Sequence, residues 1–201
     1  MKNMSVLDRI LLLATGLLAA YQVVKGVDGL RALPMLSYTV AFGVLLVAGL
    51  LIIILGFEVL DSPLVAIVST VIPLSLSLGL VWEHWTAWRI PYLIFVLVGL
   101  LAIVSTRLAK LGRPAIFVLA VVHGIAGLII FILPIALSMS GHTDPGFALV
   151  GLGGALIGLG GLLLAFLKAG KPVLSHEIIL KILPGLLLLM TTAFVVGLTF
   201  A

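Results

Sequence analysis

Four histidines are the residues of this chain best suited to chemistry, and only His123 lies deep inside an apolar stretch. It stands ten residues beyond Arg113, which on a helix is about 15 Å, close to the middle of a bilayer. An imidazole at that depth must find a hydrogen-bond partner, because an unsatisfied buried polar group is costly. Thr191, Thr192, Ser75 and Ser77 stand at comparable depth and are the expected partners. The chemical alternative is ligation of a haem b iron by the ring nitrogen. A haem held by two histidines would have to be shared with another subunit, since no second histidine lies at that depth.

Gly151, Gly154, Gly158 and Gly161 recur at i, i+3, i+7 and i+10, with Ala165 continuing the line. That spacing puts them on one face of a helix, where a second backbone or a flat ligand (haem or quinone) can approach closely. Gly153 and Gly160 add small residues on a neighbouring face. His84 and His142 close two apolar stretches at one membrane face, with Glu83 and Asp144 beside them. Together they are candidates for a metal site or for the polar rim of a quinol site. Trp82, Trp85 and Trp88 around the first of them equally describe an interfacial aromatic belt.

Other chemistries are excluded. There is no cysteine, hence no disulfide, thiolate nucleophile, iron–sulfur cluster or Cys-bound zinc. Every carboxylate lies at the end of an apolar stretch, and no carboxylate pair or nucleophile–base arrangement is visible. Ser175, His176 and Glu177 are explained as a helix start: a cap, a flanking residue and an acid at the positive end of the dipole. Lys181, four residues beyond Glu177, suits an i,i+4 pair. Retinal chemistry fails too: Lys181 is too near a span end, and the third span has no internal acid. The sequence favours a protein that is not an enzyme.

These residues must be positioned by membrane helices. Hydrophobic residues make up 63% of the 201-residue chain and charged residues 9%, with mean hydropathy +1.44. A soluble domain could not wet its outside with such a composition. The expected spans are 4–24, 34–57, 63–84, 90–108, 114–139, 145–167 and 176–200, each near the ~20 residues that cross a bilayer. Backbone in lipid must satisfy itself, and runs this long are helices, not barrel strands. The expected fold is therefore all-α: a polytopic transmembrane bundle of about seven spans in a single integral membrane domain, residues 1–201. Lys2 and Arg9 followed by an apolar run ending at Ala20 resemble a cleavable leader, but Asp8 argues for a retained first span.

Turns at Lys110-Leu111-Gly112-Arg113-Pro114 and Lys168-Ala169-Gly170-Lys171-Pro172 echo one another, suggesting one helix followed by three helical hairpins. Pro73, Pro134 and Pro184 interrupt spans and are expected to kink them. Lys2, Arg9, Arg107, Lys110, Arg113, Lys168, Lys171 and Lys181 fall on the side of the N-terminus, and only Lys25, Arg31 and Arg89 on the other. The positive-inside rule then puts the N-terminus in the cytoplasm and the C-terminus outside the cell membrane. The net charge of +4 is too small and dispersed for nucleic acid. Asn3 and Gln22 are the only side-chain amides, a scarcity that hints at a thermophile.

The function these features favour is a non-catalytic subunit of a larger membrane complex, respiratory or otherwise electron-transferring. It would pack on other membrane subunits, or on its own copies, through the Gly151/Gly154/Gly158/Gly161 face. The first alternative is a small transporter or channel with a pathway between hairpins. The second is an electron carrier or membrane enzyme that binds haem or quinone through His123 or the His84/His142 pair.

Overall fold

The computed structural model describes residues 4–168 and 173–201. Lys2, Asn3 and the turn at 169–172, with its Lys171, lie outside the described residues, as do the side chains of Asp61, Ala165 and Lys168. Seven helices run α1 Val6–Lys25, α2 Ala32–Leu55, α3 Pro63–His84, α4 Arg89–Leu108, α5 Arg113–Met139, α6 Ala148–Lys168 and α7 His176–Gly197. Among the described residues there is no strand. Six of the seven are long and apolar enough to cross a bilayer, and α6 continues the pattern with a shorter apolar stretch, Pro145–Gly161. The protein is a multi-pass helical membrane bundle.

Local chemistry sets the ends of these helices. Ser5 and Asp8 form a reciprocal capping box at the start of α1, with Asp8 N–H to Ser5 Oγ at 3.1 Å and Ser5 N–H to Asp8 Oδ2 at 2.9 Å. Asp8 is buried, and this local pairing accounts for it. Gln22 Nε2 donates to the Gly26 carbonyl at 2.8 Å and closes the other end of α1. Ser175 caps α7 by accepting from Ile178 N–H at 3.3 Å. α6 starts three residues later than its sequence suggests, because Pro145–Phe147 forms a 3-10 turn that Asp144 pins by accepting from Gly146 N–H at 3.0 Å. α3, α5 and α7 run on through Pro73, Pro134 and Pro184.

Helix neighbours form a closed circuit: α1 packs on α2, α2 on α3, α3 on α5, α5 on α6, α6 on α7 and α7 back on α1. α4 stands outside this ring, against α3 and α5. The three hairpins therefore do not occupy equivalent places, despite their similar turns. Phe42, Leu45, Leu76, Ile130, Met190 and Phe194 fill the interior from four of the helices, α2, α3, α5 and α7. At one end, Leu12, Ile52, Phe57, Leu180 and Leu183 cluster beside Met4; Arg9, Arg107, Lys110, Arg113 and Lys181 belong to this basic end. Phe147, Val150 and Leu198 gather at the opposite end, which also carries the three tryptophans. The two ends of the chain thus lie at opposite ends of the bundle.

Candidate functional site

The glycine line of α6 is divided in two by what faces it. A Cβ built on Gly151 would sit 2.6 Å from the Phe131 carbonyl oxygen, and one on Gly154 2.9 Å from the backbone of Ile130 and Phe131. Only glycine lets α6 approach α5 so closely. The adjacent face does the same for α7, where Cβ atoms on Gly153 and Gly160 would meet Phe194 at 2.6 Å and Leu186 at 2.8 Å. Gly158 and Gly161, further along the first line, have nothing within 4 Å of a built Cβ. Gly124 and Gly127 of α5 are equally open.

The contacts of Gly151 with Phe131 and of Gly154 with Ile130 fix the antiparallel register of α5 and α6. Continued by one and two turns, it sets Gly158 opposite Gly127, and Gly161 opposite His123 and Gly124. At Gly158 and Gly161 no atom of α5 lies within 4 Å of a built Cβ, so the two helices, tied at the tryptophan end, stand further apart toward the basic end. Four glycines and the histidine therefore border one crevice. Ala165, expected to extend the line, has its side chain outside the described residues.

His123 is half-buried, and its Nδ1 is buried without a hydrogen-bond partner. Three of the four hydroxyls expected to satisfy it bond elsewhere. Ser77 donates to the Pro73 carbonyl at 2.6 Å, Thr191 to Leu187 at 2.7 Å and Thr192 to Leu188 at 2.8 Å. Each bonds a carbonyl one turn earlier in its own helix, a local bond that needs no neighbour. Thr15 and Thr106 behave alike, donating to Leu11 at 2.9 Å and Ala102 at 2.7 Å. The Leu119 carbonyl, one turn earlier in α5, and the Arg107 guanidinium of α4 are the polar groups near the ring, neither in hydrogen-bond geometry with Nδ1. Arg107 Nε is itself buried and unpartnered. A sequence reading as a mere orienting charge misses this, because nothing in the sequence says that α4 turns Arg107 inward.

His84 and His142 come to the same end of the bundle. The His84 ring lies 5.2 Å from that of Phe147, tilted by 53°, which brings the end of α3 beside the connection that carries His142. His142 is exposed, and its Nδ1 is 2.8 Å from Ser140 Oγ. Among the described residues, no three of His, Cys, Asp and Glu gather closely enough to hold a metal, so the pair has no third ligand. Glu83 is more informative than either histidine. Its Oε2 is buried without a partner, and its charge acts on the buried phenol of Tyr38. The Tyr38 ring covers Gly79 one turn earlier, 2.5 Å from a built Cβ.

The arrangement offers a crevice of backbone and imidazole inside the membrane, with the Arg107 guanidinium near its histidine. It can take a helix or a flat apolar group, and it supplies one nitrogen for ligation or hydrogen bonding. The chain matches no protein-family model, and no curated protein or solved structure is detectably similar to it.

Proposed function

We propose that the protein is a non-catalytic subunit of a larger membrane assembly, and that a helix of a partner subunit lies in the crevice between α5 and α6. The contrast within one glycine line carries this reading. Gly151 and Gly154 already hold a helix at backbone distance, whereas Gly158 and Gly161 present the same surface with nothing on it. Small-residue faces are how membrane helices associate, since lipid gives no hydrophobic drive for it. A pathway through the ring is less well supported. Its interior is filled by Phe42, Leu45, Leu76 and Phe194, and Thr15, Ser77 and Thr191 bond their own helices.

Because the chain has no cysteine, Gly158→Cys or Gly161→Cys provides a single crosslinking handle. In native membranes each is expected to give an adduct with a distinct membrane protein or with a second copy of the chain. A solitary protein in mild detergent, with no adduct at either position, would end the subunit reading.

One observation favours a second reading, a haem or quinone in the same crevice: the unpartnered Nδ1 of His123. A dithionite-reduced minus oxidised spectrum tests it. A haem band lost in His123→Ala supports an electron-transfer subunit, and a colourless, quinone-free sample removes the cofactor. The orientation that fits the basic end puts the N-terminus in the cytoplasm of a cell-membrane protein.

A further inference from the structure

α4 and α5 are tied at the basic end by the short turn at 109–112. They touch where a Cβ on Gly99 would meet Val122 at 3.1 Å. Beyond that point they part, and a groove of about 370 Å³ opens toward the tryptophan end. Trp85, Trp88, Tyr92 and Phe95 form one wall, Ile125 and Ile129 the other, and Val81 of α3 the floor. The Trp85 and Trp88 rings, 5.5 Å apart, stand at its mouth, and both are exposed. Volumes of ~300–1,000 Å³ are typical of small-molecule sites.

We propose that this groove holds one acyl chain of a membrane phospholipid, whose phosphate rests on Arg89. Three features identify the occupant. First, the lining contains no charged group, and its phenol is turned away: the Tyr92 oxygen is buried toward α3, where Ser77 is its polar neighbour. The donors the groove offers are the indole N–H groups of Trp85 and Trp88 at its headgroup-level mouth; past them a carbonyl-bearing ring would find none, and a hydrocarbon chain needs none. Second, the groove runs along the helices, from Trp88 at the start of α4 to Phe95. Phe95 lies about 10 Å deeper at 1.5 Å per residue, and tryptophans mark headgroup level. That is the direction and depth of an acyl chain.

Third, a cation stands ready beside the mouth. Arg89 follows Trp88 directly, and its Nε donates to the Trp82 carbonyl. Its guanidinium carbon lies 5.9 Å from the centre of the Trp82 ring. With Nε and the ring fixing the side chain, the two terminal NH₂ groups form a pre-ordered fork suited to phosphate.

Of the three tryptophans of the chain, Trp85 and Trp88 line the groove and Trp82 holds Arg89, so intrinsic fluorescence reports on the site. The purified full-length protein in detergent would be titrated with phosphatidylglycerol carrying brominated acyl chains, which quench indole on contact. The expected result is saturable quenching at one lipid per chain. Ile125→Phe, a partly exposed position whose larger side chain fills the groove, should abolish the saturable component at unchanged elution volume. Arg89→Gln should weaken binding about tenfold or more, the loss of a charge-assisted hydrogen bond. Unsaturable quenching, equal in wild type and both variants, would overturn the proposal. A brominated fatty-acid methyl ester that binds as tightly as the phospholipid would overturn the phosphate contact. Saturable quenching by a decyl-substituted benzoquinone, and none by the lipid, would overturn the acyl chain in favour of a ring.

Discussion

Two openings flank α5, and they are built from opposite materials. On the α4 side, at the tryptophan end, four aromatic rings line a groove. On the α6 side, at the basic end, four glycines border a crevice. Each opening lies at the far end of a hairpin from the turn that ties it. The aromatic groove has walls of its own and can hold a thin apolar chain. The glycine crevice has no side-chain walls and is completed by a backbone or a flat group. The comparison shows that a small-residue line has no fixed meaning along its length: identical spacing makes a finished contact at Gly151 and Gly154 and an unfinished one at Gly158 and Gly161.

The largest effect that could break this contrast is Gly154→Ile. Its side chain would start 2.9 Å from α5 backbone that cannot step aside, and overpacking of that kind costs about 3 kcal/mol or more. Unfolding in mixed detergent–SDS micelles measures it. Gly158→Ile in the same assay should stay within about 0.5 kcal/mol. Equal losses at the two positions would mean that α5 and α6 do not splay.

Next comes Gly79→Ala, whose Cβ meets the Tyr38 ring at 2.5 Å. Here the obstacle is a side chain, not backbone. The expected cost is about 1–3 kcal/mol, and Tyr38→Ala in the same chain should return a good part of it through coupling between the two sites. Simple additivity in the double-mutant cycle would contradict the contact.

His123→Leu has the opposite sign. Removing an imidazole whose Nδ1 is buried and unpartnered should raise the stability of the isolated protein by about 1 kcal/mol. If the variant is less stable instead, the histidine serves the fold and the crevice loses its one chemical group. The smallest effect is Gly158→Ala, a gain of about 0.5–1 kcal/mol from helix propensity alone. The same change should weaken any crosslinked assembly, which separates the open half of the line from a purely structural glycine.

Hydropathy made the helices legible. α3 spans Pro63–His84 and α5 Arg113–Met139, where the apolar stretches read 63–84 and 114–139, since lipid imposes the same limit on every segment. Neighbours were not legible. A helix whose outside is lipid is as apolar outside as inside, so no face of α4 announces that it stands apart from the ring. The spacing of Gly151 to Gly161 was visible in the sequence, but not that half of it was already occupied. The depth of His123 was visible too. That Ser77, Thr191 and Thr192 would not serve it was hidden, because each hydroxyl is satisfied within its own helix. The aromatic groove was hidden behind an ordinary signal: tryptophans near a span end describe a belt whether or not a cleft opens between them.

The packing of α1 against α7 has a consequence for biogenesis. The ring cannot close until the seventh helix has left the ribosome, roughly 150 residues after the first. At about 5–20 residues per second, α1 waits on the order of ten seconds in the membrane with the side that carries Leu12 and Ala19 uncovered. A nascent chain in that state is a natural client for an insertase or for a waiting partner, and truncation before α7 should leave the protein to membrane proteolysis.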